Sequence, residues 1–333
     1  SDHGVIANAK LSTADYVEAP FVDYDKLKNL DYYDNILNAN DVEYNYKNNY
    51  RLILERELVR KLGYEQINLY ANFDEKYKET FDWFVSSNRV IEEIIEVSEI
   101  DVTRFLYALV PIYTQYKEAL KEEDGYVYEK MMIGLAAAYS SQRIATPISM
   151  GHQIPTYDPL ERFTIMKKLF DENLFMIQTG GKFVAHDWFR NYHVELMRYV
   201  MQDATRNEEI EWLNYYSHYK NSLSHYLVPY VNPNFSRPEY YDPTNKDKYS
   251  QKYLLDQFNI PVGEDKIARY WMVMENGNVC WGQSRFGASL FRVNGIPATG
   301  VYQPYHEPYI IYTQDANGNG IWQHRYGGNW GAS

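Results

Sequence analysis

The sequence predicts an α+β protein, with a mainly helical region over residues 1–245 and a smaller mixed α/β region over 246–333. Three observations predict it. Apolar residues recur with helical period through most of the first part. The stretch PYVNPNFSRPEYYDPTNKDKYS (229–250) then interrupts the pattern with the composition of a loop or linker. Beyond it, β-rich runs with Asn-Gly turn signals flank a single amphipathic segment. A chain of 333 residues can hold one large domain or two ordinary ones, and 45% hydrophobic content is normal for a globular fold. No fixed-period repeat signals a solenoid.

Each element follows from local chemistry. Residues 1–45, rich in Asp, Asn and Tyr, lack periodicity and read as an extended lead-in. NNYRLILERELVRKLGY places Leu52, Leu54, Leu58, Val59 and Leu62 mostly on one helix face, with Gly63 as the stop. In SEIDVTRFLYALVPIYTQYKEALKEE, Ser98 is the expected N-cap and Pro111 the expected kink or break. YEKMMIGLAAAYSSQ (128–142) supplies a buried helix of small residues. A loop, ATPISMGHQIPTYDPLERF, leads to a helix over about Leu160–Asn173. WFRNYHVELMRYVMQ and NEEIEWLNYYSHYKNSLSHYL predict one helix each. ARYWMVMENGNV reads as a strand, and YHEPYIIYTQDANGNGIWQHRY as a hairpin.

Composition narrows the function. A formal charge of −12 disfavours a nucleic-acid partner and anionic membranes, since phosphate binding needs surplus Lys and Arg. No apolar run approaches the roughly 18 residues that span a bilayer, so no membrane insertion is expected. Tyrosine is abundant, at 34 residues, and its apolar face with a hydroxyl suits a cleft for peptides or glycans as well as ordinary packing. The opening SDHGVIANAK, without Met, is the expected start of a processed secreted protein or of a trimmed piece of a longer one. One cysteine cannot form an internal disulfide.

That cysteine carries the chemistry. Cys280 follows an Asn-Gly turn and heads the stretch Gly282–Val293, in which Phe286, Leu290 and Val293 fall at helical spacing. A thiol at a helix start meets backbone amides and a dipole that favour the thiolate and can hold an oxyanion. Such a nucleophile needs a histidine as base, and His306 opens the strand HEPYIIY 26 residues on.

Cys280, a helix, Gly-Ile-Pro-Ala (295–298), His306 and Trp322 in the next strand together resemble the transglutaminase-like superfamily of papain-type cysteine enzymes. The Gln-Pro-x-His stretch 303–306 is similar to that of transglutaminase-like modules in secreted bacterial surface proteins. The resemblance covers about residues 270–325, a sixth of the chain. It implies a papain-like transglutaminase core within 246–333, with Cys280 as nucleophile and His306 as base. It also implies acyl transfer to an amine, or hydrolysis, at a carboxamide or peptide bond. The alternative is a catalytically degraded module that binds peptide or glycan. The family's third residue, an Asp or Asn that orients the His, falls here on Tyr326, and Asn329 is the nearest amide for that role. The chain ends at Ser333, early for this fold, so the expected core is shortened. The implied setting is secreted or cell-surface, within a larger multidomain protein whose substrate is a protein, peptide or cell-surface glycan. No cofactor is implied.

Other signals read as structure. DANGNGIWQHRY starts like a calcium loop at Asp315, Asn317 and Asn319, but Tyr326 replaces the bidentate Glu, so a tight hairpin fits better. His186 with His193, and His218 with His225, stand seven apart and read as partly buried structural histidines, not a metal site. Asp158 and Glu161 could be a glycosidase-type pair, but Asp-Pro-Leu-Glu is also ordinary helix initiation.

Overall fold

The structure is a computed structural model that describes residues 24–27, 29–98, 100–141, 157–175, 185–202, 205–230, 270, 273–274, 277–301, 303–304, 306–314 and 318–326. The chain divides into two compact units, residues 1–95 and 96–333. The expected boundary at 245/246 lies outside the described residues.

The first unit holds α1 (Tyr24–Leu27), α2 (Leu30–Asn38), α3 (Val42–Asn48), α4 (Tyr50–Leu62), α5 (Tyr64–Ala71), α6 (Glu75–Ser86) and α7 (Asn88–Glu96). Helices over 24–48 therefore replace the expected lead-in. They are too short to show periodicity, and caps start them instead. Asn29 accepts from the Tyr32 amide and Asp41 from the Tyr44 amide. α4 stops at Gly63, whose φ of 78° is the conformation expected of it. Leu54, Leu58, Val59 and Leu62 on its buried face meet α2, α3 and α5.

The second unit opens with α8 (Val102–Tyr116), which runs through Pro111 without a break. Burial of Phe105, Leu106, Leu109 and Ile112 around the proline holds the helix together. Its cap is Asp101, which accepts from the Arg104 amide; Ser98 instead donates to Glu195 at 2.7 Å. α9 (Gly125–Ser141) is buried nearly all round, as its small residues predict. α10 (Pro159–Asp171) starts at Asp158, which accepts from the Glu161 amide, and Glu161 accepts from Asn207 at 2.8 Å. That pair is a helix start.

The single helix expected over 188–202 is two, α11 (Ala185–Asn191) and α12 (Val194–Met201). The His193 ring restarts the helix by accepting from the Glu195 amide. α13 (Asn207–Lys220) ends at Asn221 with φ 47°, followed by a 3-10 turn at His225–Leu227. The rings of His193 and His218 are exposed; His225 is buried. The side chain of His186 lies outside the described residues.

α14 (Cys280–Arg292) precedes three strands, β1 (Ala298–Gly300), β2 (Tyr309–Gln314) and β3 (Gly320–Tyr326), in one antiparallel sheet of that order. The protein is thus mainly helical with a small antiparallel sheet, in the broad α+β class. The expected strand over 268–279 is not seen, since Tyr270 and residues 273–274 are helical. Tertiary contacts override the β-rich composition. The Tyr270 amide donates to Glu209 at 2.7 Å and its hydroxyl meets Ser289 at 2.8 Å. Among the described residues, no helix is long and apolar enough to cross a membrane.

Candidate functional site

Four local choices set the start of α14. Gly277, at φ 75°, makes the turn that leads in. Asn278 is buried; its amide donates to the Pro229 carbonyl and its side-chain oxygen accepts from the Val279 amide, both at 2.9 Å. Val279 is the N-cap, and its side chain offers no hydrogen bond to the first turn. Gly282 lets Asn278 pack in, since a Cβ there would lie 2.0 Å from Asn278 Cγ. The result is a helix N-terminus whose leading amides lack the usual capping oxygen. Cys280 is its first residue, and it is half-exposed.

At the other end the Gly-Ile-Pro-Ala turn reverses the chain. Gly295 has φ 74°, and a Cβ there would strike the Phe175 ring at 2.6 Å. Ile296 and Ala298 are buried, and β1 returns along the helix. The register between α14 and the hairpin follows from contacts. Phe291 meets the Tyr309 ring at 6.1 Å, and Gly287 gives that ring room, since a Cβ would lie 2.7 Å from it. Arg285 Nε then faces Glu307 Oε1 at 3.8 Å. The chain leading into β2 therefore runs back along the first half of α14, with His306 next to Glu307 in sequence. Gln303 and His306 exchange backbone hydrogen bonds of 2.9 and 3.1 Å, closing the end of the hairpin. His306 is half-exposed.

Two buried titratable groups border this face. Burial raises the Glu307 carboxyl above its ordinary range, with Arg285 pulling the other way. Burial also pushes His225 down to about 4. Its Nδ1 lies 3.4 Å from the Tyr309 hydroxyl. Buried polar atoms without a hydrogen-bond partner among the described residues include, on and before the first half of α14, Asn278 Nδ2, Ser284 Oγ and Arg285 Nε, and on the lead into β2 Gln303 Oε1 and Glu307 Oε2. Native interiors leave few such atoms, and each is a place for water or a ligand group.

Trp322 stands in β3 as expected, 38% exposed, edge-on to Tyr312 and Tyr199. Tyr326 pairs with Tyr309 through the backbone. Asn329, the expected third member, lies outside the described residues, as do Asp315 and Asn317. Among the described residues, no group of His, Cys, Asp and Glu could hold a metal ion. Asn278, Arg285 and Glu307 escaped the sequence reading; the Glu beside His306 was the one signal to follow. Comparison of the chain with models of protein families, with curated proteins and with solved structures finds no match.

Proposed function

We propose that the chain is a transglutaminase-like cysteine enzyme built on a papain-like core. The Cys280 thiolate adds to a carboxamide or peptide carbonyl, and His306 carries the proton to the leaving nitrogen as the C–N bond breaks. Water or an amine then attacks the thioester, giving an acid or a new amide and restoring the thiol. One observation carries this reading: the lone cysteine, half-exposed, is the first residue of a helix with no side-chain cap. The first-turn amides are then available to a thiolate and to an oxyanion. The resemblance supplies the rest, including a secreted or cell-surface setting and a peptide or glycan-linked partner.

With one cysteine, alkylation reads the site directly. Iodoacetamide at about pH 6–7 is expected to label Cys280 in the folded chain, and about tenfold more slowly in His306→Ala. A thiol that reacts only after unfolding would overturn the enzyme. The reading that then takes its place is a binding module, which Tyr326 at the Asp position and the exposed Trp322 favour.

A further inference from the structure

Arg285 is held differently from Arg190 and Arg198 of its unit. Arg190 grips Asp124 with both terminal nitrogens, and Arg198 bonds Glu195 at 2.9 Å. Arg162 is bonded to Asn207 and the Thr205 carbonyl. The Arg190 and Arg198 forks are thus paired with acids. Arg285 instead stacks on the Trp281 ring, 4.1 Å from its centroid. Its Nε stands 3.8 Å from Glu307, beyond hydrogen-bond length, and is buried without a partner among the described residues. Its terminal amino groups make no hydrogen bond to any described residue, and neither is buried.

Three features fix the fork. The indole lies under it and Glu307 stands behind it. β1 pins Glu307 in turn, because Gly300 admits its carboxylate where a Cβ would lie 2.8 Å away. A guanidinium stacked and backed in this manner loses little freedom on binding, and its planar donors match a carboxylate. Its position completes the case. Arg285 is five residues beyond Cys280 on one helix, about 7.5 Å along the axis and about 140° around it, which sets their Cα atoms about 9 Å apart. Somewhat more than two extended residues span that length. In a chain of formal charge −12, a partly exposed cation with no hydrogen-bonded acid among the described residues stands within one and a half turns of the proposed nucleophile.

We propose that Arg285 docks a carboxylate of the acyl donor, so that Cys280 acts on carboxamides lying within about two residues of a free carboxylate. This rests on the nucleophile reading of Cys280. The substrate class is then acidic: a peptide near its C-terminus or beside an acidic side chain, or a small amide-acid.

The test compares two alkylating reagents of similar size, N-iodoacetyl-glycylglycine and its C-terminal amide, which differ in a carboxylate about two residues from the reacting carbon. The ratio of acid to amide labelling rates at Cys280 is expected to fall about tenfold from the unaltered chain to Arg285→Ala. Arg285→Lys keeps the charge and loses the fork, and its ratio is expected to lie nearer that of the alanine variant. Acetate at constant ionic strength is expected to slow the acid, not the amide, in the unaltered chain, a measurement that needs no folded variant. A ratio unchanged in Arg285→Ala, or fully kept in Arg285→Lys, or no acetate effect, would overturn the carboxylate site while leaving Cys280 reactive. If neither reagent labels the folded chain, the nucleophile reading falls and this site with it.

Discussion

The two ends of α14 are built on opposite plans. At its C-terminus, Asn294 is fully buried and bonded on all sides. Its Nδ2 reaches Ser217 Oγ at 3.0 Å and the Leu290 carbonyl at 2.8 Å, and its Oδ1 accepts from Asn214 at 3.1 Å. Asn214 also holds the carbonyls of Val293 and Leu174. At the N-terminus a valine stands where a capping oxygen would, and Asn278 Nδ2, Ser284 Oγ and Arg285 Nε lack partners among the described residues. One helix thus joins a saturated end to an unsaturated one. Full pairing holds the fold, and missing pairing is the usual mark of a place kept for a ligand or a reaction.

The largest expected effect lies at the saturated end. Asn294→Leu removes one amide, takes from the buried Ser217 hydroxyl the donor it accepts from and from Asn214 one of its three acceptors, so a loss of about 3 kcal/mol is expected from denaturant midpoints. Cys280 labelling in the folded variant should stay near that of the unaltered chain. A loss under about 1 kcal/mol would mean that the network is dispensable and that the contrast between the two ends is not energetic.

Between the ends, His225 packs beside the middle of the helix, facing the Tyr309 hydroxyl and the Tyr226 ring. Its folded pKa, near 4, lies below the ordinary 6.5. The unfolded chain therefore takes up a proton that the folded chain refuses. Stability is complete above about pH 6.5, falls as pH drops toward 4, and levels off below it. About 2 kcal/mol is expected from this group over that window. The carboxylates titrate over part of the same range, so the measurement is the difference in slope between the unaltered chain and His225→Phe. Equal slopes would remove His225 from the buried side of the comparison.

What the sequence shows of this arrangement is uneven for physical reasons. α14 was legible because Phe286, Leu290 and Val293 repeat at helical spacing and Gly295 ends the run. The hairpin was legible from β2, whose residues alternate buried and half-buried, and from a turn that includes Gly318 at φ 83°. The helices over 24–48 were not, since one capping side chain, not a period, starts each. The helical Tyr270 was misread because its amide partner, Glu209, lies 61 residues away. For the candidate site, the position of Cys280 at the helix start was readable. The Arg285–Glu307 relation, between a helix and the lead into a strand, obeys no spacing rule.

The smallest expected effect is the sharpest test of the contrast. Val279→Ser places a hydroxyl where the first turn lacks an acceptor, without adding charge. If the N-terminus of α14 is uncapped merely by chance, the serine should stabilise the fold by about 0.5–1 kcal/mol and change nothing else. If its amides serve the Cys280 sulfur, the hydroxyl competes for the same donors. Stability should then rise by that amount while iodoacetamide labelling of Cys280 slows several-fold at fixed pH. Thermal melting and labelling rates on one sample separate the cases, because stability and reactivity move in opposite directions only where the missing cap is part of the site. A stabilised variant with an unchanged labelling rate would show that Cys280 draws nothing from the helix end, and its reactivity would then have to come from His306 alone.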